Sequence, residues 1–392
     1  MTTVIIKNIG TVFSGEIDNP VIPGASVVVL RDKKIAAVGG DDLVGQYAGQ
    51  DDTSVVDADG VSLAPGLIDS HCHVTLGDYA HRQKTMDFID SALHGGVTTV
   101  ISAGECHIPG RPRDPAGVKA QAIFLHKCFT NARPSGVKVH GGAVILEPGL
   151  TEADFAEMAR EGCWLVGEVG LGKINSPELA APMVAMAKRH GFKVQMHCGG
   201  TSIPGSSTVT ADDVIRTAPT VVSHINGGPT AISPKDVDTL IADTDLTLEI
   251  VQCGNAKIAD HVARGLRDKG ALDRLIFGND APSGTGVIPL GILRNIAQIA
   301  SLSGISAGEC LAAATGNTAR TYGLDTGRIV PGCAADVLLL DAPMGSIGED
   351  AAAAIEAGDL PAVAMAFIDG VLKFKKSRNT PPAKRHPALL DA

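Results

Sequence analysis

Aromatic side chains are scarce in this 392-residue sequence, at 3% with one Trp and three Tyr. That scarcity excludes a base-stacking nucleic-acid binder and an aromatic-lined carbohydrate groove. Cysteine is sparse too. The eight cysteines are scattered and form no CxxC pair, so neither a disulfide scaffold nor an oxidising compartment is implied. No apolar run reaches the roughly 18 residues of a membrane-spanning helix. The opening stretch MTTVIIKNIGTVFSG alternates like a strand and lacks the charged-then-apolar pattern of a signal peptide. A cytoplasmic protein is expected. Positive charge is in deficit, with 33 Lys and Arg against 43 Asp and Glu, a formal net charge of −10. Such a chain has no global attraction for nucleic acid or anionic membrane. An anionic ligand would have to be drawn by a local cation or a metal.

What is present is apolar surface, with 44% hydrophobic and 19% charged residues. That supports a sizeable core and argues against disorder. Val- and Ile-rich runs at 3–7, 26–31, 34–38 and 54–57 read as short strands, as do 335–341, 363–368 and 370–374 near the other end. Between them, eight short apolar runs alternate with helical segments. The strands are expected at 66–70, 98–103, 137–144, 164–169, 193–197, 221–224, 246–251 and 275–279. The expected fold class is therefore α/β: a (β/α)8 barrel with a small β-sandwich built from both chain termini. Residues 1–63 and 326–392 are assigned to the sandwich and tail, and residues 64–325 to the barrel. The basic, Pro-rich tail from Lys375 reads as an exposed or subunit-wrapping extension.

Ligand-type side chains recur where these strands end. His71 and His73 flank Cys72 on one strand, so the two imidazoles share a face and the thiol points away. Glu168, His197, His224 and Asp280 each close another apolar run. One such residue is an ordinary strand-end cap; six converging on one barrel mouth are a metal site. Four His and two carboxylates exceed one tetrahedral ion and suit two divalent ions sharing a bridging carboxylate. Zinc, iron, manganese and cobalt all accept this donor set. Asp280 is the expected proton carrier. Cys72 and Cys198 read as small buried residues. Cys106, His107 and His140 are further residues placed near the pocket, and the remaining histidines read as surface or packing residues.

These motifs resemble the amidohydrolase superfamily of metal-dependent hydrolases, over the whole chain. The opening signature is Pro65-Gly66-Leu67-Ile68-Asp69 leading into His71 and His73. The closing one is Gly327-Arg328-Ile329-Val330-Pro331-Gly332, followed by Ala334-Ala335-Asp336-Val337. Many members carry a carboxylated lysine at the end of the fourth barrel strand. Glu168 stands there instead, so no modified lysine is expected, and Lys173 belongs to the following loop. The segments 77–86, 199–207, 279–284 and 376–385 are similar to those of a ring-opening branch of the family that serves nicotinate catabolism. That similarity implies hydrolysis of 6-oxo-1,4,5,6-tetrahydronicotinate to 2-formylglutarate and ammonia, a zinc and/or iron binuclear centre and a homotetramer. A cyclic amide carrying a carboxylate would also need a cation, and Arg82, Arg111 and Lys173 are the candidate substrate contacts. Other readings are hydrolysis of a different cyclic amide, imide, hydantoin or N-acyl amino acid, or a non-catalytic assembly role.

Overall fold

The computed structural model describes residues 2–49, 52–74, 88–105, 108, 110–201, 206–227, 231–282 and 288–390. Six strands come first: β1 (Thr3–Lys7), β2 (Thr11–Val12), β3 (Val27–Arg31), β4 (Lys34–Gly39), β5 (Thr53–Asp57) and β6 (Ser62–Pro65). Eight parallel strands follow: β7 (Leu67–Cys72), β8 (Val97–Ser102), β9 (Lys138–His140), β10 (Leu165–Val169), β11 (Lys193–His197), β12 (Val221–Ser223), β13 (Thr247–Val251) and β14 (Leu275–Gly278). The last four are β15 (Val337–Asp341), β16 (Ala362–Ile368), β17 (Val371–Phe374) and β18 (Ala388–Leu390).

The eight parallel strands close into a barrel. Two seams complete the ring. Val144 bridges to Val166 beside β10, and backbone bonds from Asp280 N to His71 O and from His73 N to Ala281 O join β14 to β7. Helices such as Pro115–Asn131, Pro177–Arg189 and Ala256–Lys269 form the outer layer. Their starts are written locally. Asp114 accepts from Gly117 N with Pro115 in the first turn, and Asn255 accepts from Lys257 N and Ile258 N. Inside the barrel, Ile68, Ile101, Leu165, Val221 and Ile276 form an apolar plug closed by Tyr322. The third strand is shorter than its sequence suggests. Gly142 takes φ +83°, which breaks the ladder beyond His140 before Val144 rejoins it.

Two five-stranded sheets make the sandwich, in the orders β18-β5-β1-β3-β4 and β17-β16-β15-β6-β2. Both sheets mix early and late segments of the chain, and Val28, Leu30, Leu63, Val337, Leu339 and Phe367 fill the space between them. The step from sandwich to barrel is one residue long. Pro65 ends β6 and Leu67 opens β7, and a Cβ on Gly66 between them would lie 2.1 Å from Thr98 Oγ1. Only glycine fits there.

The tail, expected as an exposed or subunit-wrapping extension, is largely exposed and runs along its own chain. Ser377 Oγ donates to His94 O, Asn379 Nδ2 donates to Ser91 O, and Arg385 pairs with the buried Asp341 carboxylate. Then β18 adds an antiparallel edge to β5. Two of its basic residues, Arg378 and Arg385, pair with Asp90 and Asp341 of the same chain.

Candidate metal centre

The six residues expected at the barrel mouth come together. Glu168 is in the middle. Its Oε1 lies 3.8 Å from His71 Nε2, 3.7 Å from His197 Nδ1 and 2.5 Å from His224 Nε2, and its Oε2 lies 3.6 Å from His73 Nε2. Asp280 Oδ1 is 3.2 Å from His73 Nε2 and 3.7 Å from His71 Nε2. Three overlapping sets result: His71, His73 and Glu168; Glu168, His197 and His224; and His71, His224 and Asp280, with the donor atoms of each within 4.8 Å of one another.

Strand irregularities aim these side chains. Ser70 and His71 are neighbours in β7, which would send them to opposite faces of a regular strand. Yet Ser70 Oγ donates to Glu249 Oε1 at 2.5 Å and His71 Nδ1 to Glu249 Oε2 at 2.7 Å. The β7–β8 register slips between Asp69 and Cys72, which turns both inward, and β10 slips between Val166 and Val169 beside Glu168. His224 and Asp280 hold positive φ, +34° and +55°. For non-glycine residues this is strained backbone of the kind that clusters at functional sites. Backbone bonds fix both, from His224 N to Glu249 and from Asp280 N to His71 O. Gly278 clears the way, since a Cβ there would lie 2.6 Å from the His71 Cβ.

The donor set fits a metal. His71 Nδ1 faces a carboxylate and His73 Nδ1 donates to Gly104 O at 2.9 Å, so each ring turns a lone-pair Nε2 toward the cluster. His71 Nε2 and His224 Nδ1 are buried without a hydrogen-bond partner among the described residues. Native proteins rarely leave such atoms unsatisfied unless a ligand completes them. Burial disfavours the charged form of His224, but the Glu168 carboxylate outweighs it and raises the pKa to about 9. Burial likewise opposes ionisation of Asp280, yet the His73 hydrogen bond and the His71 and His224 charges hold it well below the usual carboxylate range. Glu168 is lowered in the same way, chiefly by His224 against its burial. Both carboxylates are thus ionised and able to hold cations.

Glu249 is the residue that sequence reading missed. It sits fully buried within β13 and serves Ser70, His71 and the His224 amide at once. Its only signal is an acid inside the apolar run Leu246–Val251. Two more buried acids back the mouth. Asp69 accepts from His71 N, Cys72 Sγ and Asn279, and burial raises its pKa to about 6. Glu105 accepts from Ser102 and Gly142 N, and burial raises it to about 7.

The other expected residues divide. Cys72 Sγ turns to Asp69 and Cys198 Sγ to Val209 O, both in the apolar core and away from the cluster. Cys253, not singled out from sequence, is the thiol that reaches Asp280, at 3.5 Å. His140 does not support the mouth. It rests edge-on against Trp164 and lines a cavity of about 470 Å³ at the seam with the sandwich. Arg111 and Lys173 both meet Glu147, at 3.3 and 3.6 Å. Arg82, Cys106 and His107 lie outside the described residues.

Comparison with known proteins agrees with this geometry. The amidohydrolase family model matches residues 62–373. The chain belongs to the amidohydrolase family. Members of that superfamily are metal-dependent, and the histidine, glutamate and aspartate groups described above are able to hold metal. The chain is 63% identical to enamidase of Eubacterium barkeri over 390 residues, covering all of both chains. A crystal structure of enamidase superposes with a TM-score of 0.95 at 62% identity, covering 99% of this chain and 100% of that one. A more distant relative is adenine deaminase 2 of Desulfotalea psychrophila, 25% identical over 93% of this chain and 59% of its own length. Structures of a β-aspartyl dipeptidase share the fold at 18% identity and a TM-score of 0.66. The expected barrel with a β-sandwich is the fold of this family.

Proposed function

We propose that this amidohydrolase is an enamidase, opening the ring of 6-oxo-1,4,5,6-tetrahydronicotinate to give 2-formylglutarate and ammonia. The full-length likeness to enamidase of Eubacterium barkeri carries the reading. The presence of all six ligand-type residues supports it and counts against a non-catalytic role. In this reading His71, His73 and Asp280 would hold one divalent ion and His197 and His224 the other, with Glu168 in reach of all four histidines. Zinc and/or iron suits these donors. When bound, such ions polarise an amide carbonyl and lower the pKa of a water. Glu249 and Gly104 fix the His71 and His73 rings. Asp280 takes up the proton of the attacking water and delivers it to the departing ring nitrogen, which leaves poorly unless protonated. One water is consumed in breaking the C–N bond. The enamine released tautomerises to an imine, and a second water converts that to the aldehyde and ammonia.

The reading extends to residues 64–325 as the hydrolase barrel, 1–63 and 326–392 as the sandwich and tail, a homotetrameric assembly and a cytoplasmic location. No helix among the described residues is long and apolar enough to cross a membrane. Arg82, Arg111 and Lys173 are the proposed contacts for the substrate carboxylate.

The test is a substrate panel with metal analysis. The purified enzyme is expected to open the cyclic enamide acid in preference to hydantoin, imide and N-acyl amino acid substrates. Asp280→Asn is expected to lower kcat by about 10²- to 10⁴-fold per metal-loaded site, with metal content measured alongside. Full turnover in that variant would sink the proton-carrier role. Preference for hydantoin would sink the substrate assignment and leave the hydrolase intact.

A further inference from the structure

Three loops meet on the C-terminal face of the barrel, the face at which the candidate metal ligands gather. The loop after β8 supplies Gly104, whose carbonyl fixes His73, and seven residues later Arg111. The loop after β10 carries Lys173, five residues beyond Glu168. Between them, beyond the Val144 bridge, stands Glu147. Its side chain is only 4% exposed, and it faces Arg111 Nη1 at 3.3 Å and Lys173 Nζ at 3.6 Å. An acid buried in this way is costly unless cations compensate it. Its Oε2 is nevertheless without a hydrogen-bond partner among the described residues, so stability alone gives a poor account of the arrangement.

The guanidinium is held along one side. Arg111 Nη1 is taken by Glu147 and the Pro112 carbonyl, and no hydrogen bond from Nε or Nη2 is found among the described residues. Those two N–H groups form the flat edge that receives a carboxylate in a bidentate pair. The Arg111 side chain is 14% exposed and Lys173 54%. Arg111 is therefore the less hydrated and better fixed of the two cations. The cluster of two cations and one acid keeps a single net positive charge for an incoming anion.

We propose that Arg111, positioned by Glu147, is the anchor for the substrate carboxylate and sets the preference of this site for ring acids over uncharged rings. This rests on the enamide-acid reading above and deepens it by choosing among the candidate cations and adding the residue that holds the chosen one. Glu147 acts through Arg111, and Lys173 is secondary.

The experiment uses the metal-loaded full chain with two substrates: a six-membered cyclic enamide bearing a carboxylate, and the same ring bearing a carboxamide. Arg111→Gln is expected to raise KM for the acid by about 10- to 100-fold, the worth of a charge-assisted hydrogen bond. The kcat for the acid, the KM for the carboxamide and the metal content are expected to hold. Glu147→Gln should raise KM for the acid by a smaller factor in the same direction, with Glu147→Asp recovering part of it. Lys173→Gln should shift it less than either. The proposal is overturned if Arg111→Gln impairs both rings equally, if the loss falls on kcat, or if Lys173→Gln alone abolishes the preference. An unchanged KM in Glu147→Gln removes the positioning role. If the wild type opens neither ring, the enamide reading itself fails, an outcome distinct from loss without discrimination between rings.

Discussion

The barrel holds a polar cluster at each end, and the two follow different rules. At the sandwich end, Lys138 Nζ meets Asp336 at 2.7 Å and Asp369 at 2.7 Å. Asp336 also accepts from Thr326 Oγ1 and Asp369 N, and Asp369 meets Arg133. Two cations balance two acids, and no buried side-chain atom of the four is left without a partner. At the mouth, four imidazoles surround two carboxylates, and two ring nitrogens have no hydrogen-bond partner among the described residues. A closed network of this kind ties elements together, whereas an open one is complete only with a ligand. The presence of opposite charges alone does not separate the two clusters. The accounting of donors and acceptors does.

The sharpest way to break the comparison is at the sandwich end. Lys138→Met leaves Asp336 buried without its main cation and should cost about 3–5 kcal/mol in denaturant unfolding. Metal content and kcat of the folded fraction should be unchanged, and loss of metal instead would erase the distinction. At the mouth, Glu249→Gln preserves shape but weakens the grip on His71 and the His224 amide. Metal affinity should fall by about 10- to 100-fold in competition with a chelator, with a smaller change in unfolding than Lys138→Met. The smallest effect is expected from Lys34→Gln. Its ion pair with Asp325 joins two exposed side chains, so unfolding should shift by less than about 1 kcal/mol.

Much of this was legible in the sequence, for physical reasons. His71, His73, Glu168, His197, His224 and Asp280 each end an apolar run, and parallel barrel strands present their C-terminal ends to one mouth. Strand spacing therefore became spatial convergence. Glu249 was not legible, because its partners on β7 and after β12 become neighbours only when the barrel closes. His140 was misplaced for a related reason: Gly142 bends the third strand away, and the histidine turns to Trp164. The inward aim of His71 depends on a register slip that no alternation pattern records. The tail's contacts were not legible, because its composition shows charge but not the buried Asp341 and the open edge of β5 that receive it.

The shared sandwich has a consequence for biosynthesis. β6 pairs with β15, yet Pro65 and Val337 are 272 residues apart. At translation rates of about 5–20 residues per second, β6 waits on the order of 14 to 54 s for its partner. During that interval β6 presents an unpaired edge in the crowded surroundings of the ribosome, and the entire barrel is made before it is covered. The segment most exposed to misassembly in the cell is therefore the small, early one rather than the large catalytic barrel. Chaperone demand should track the time taken to reach β15 more closely than the stability of the finished enzyme.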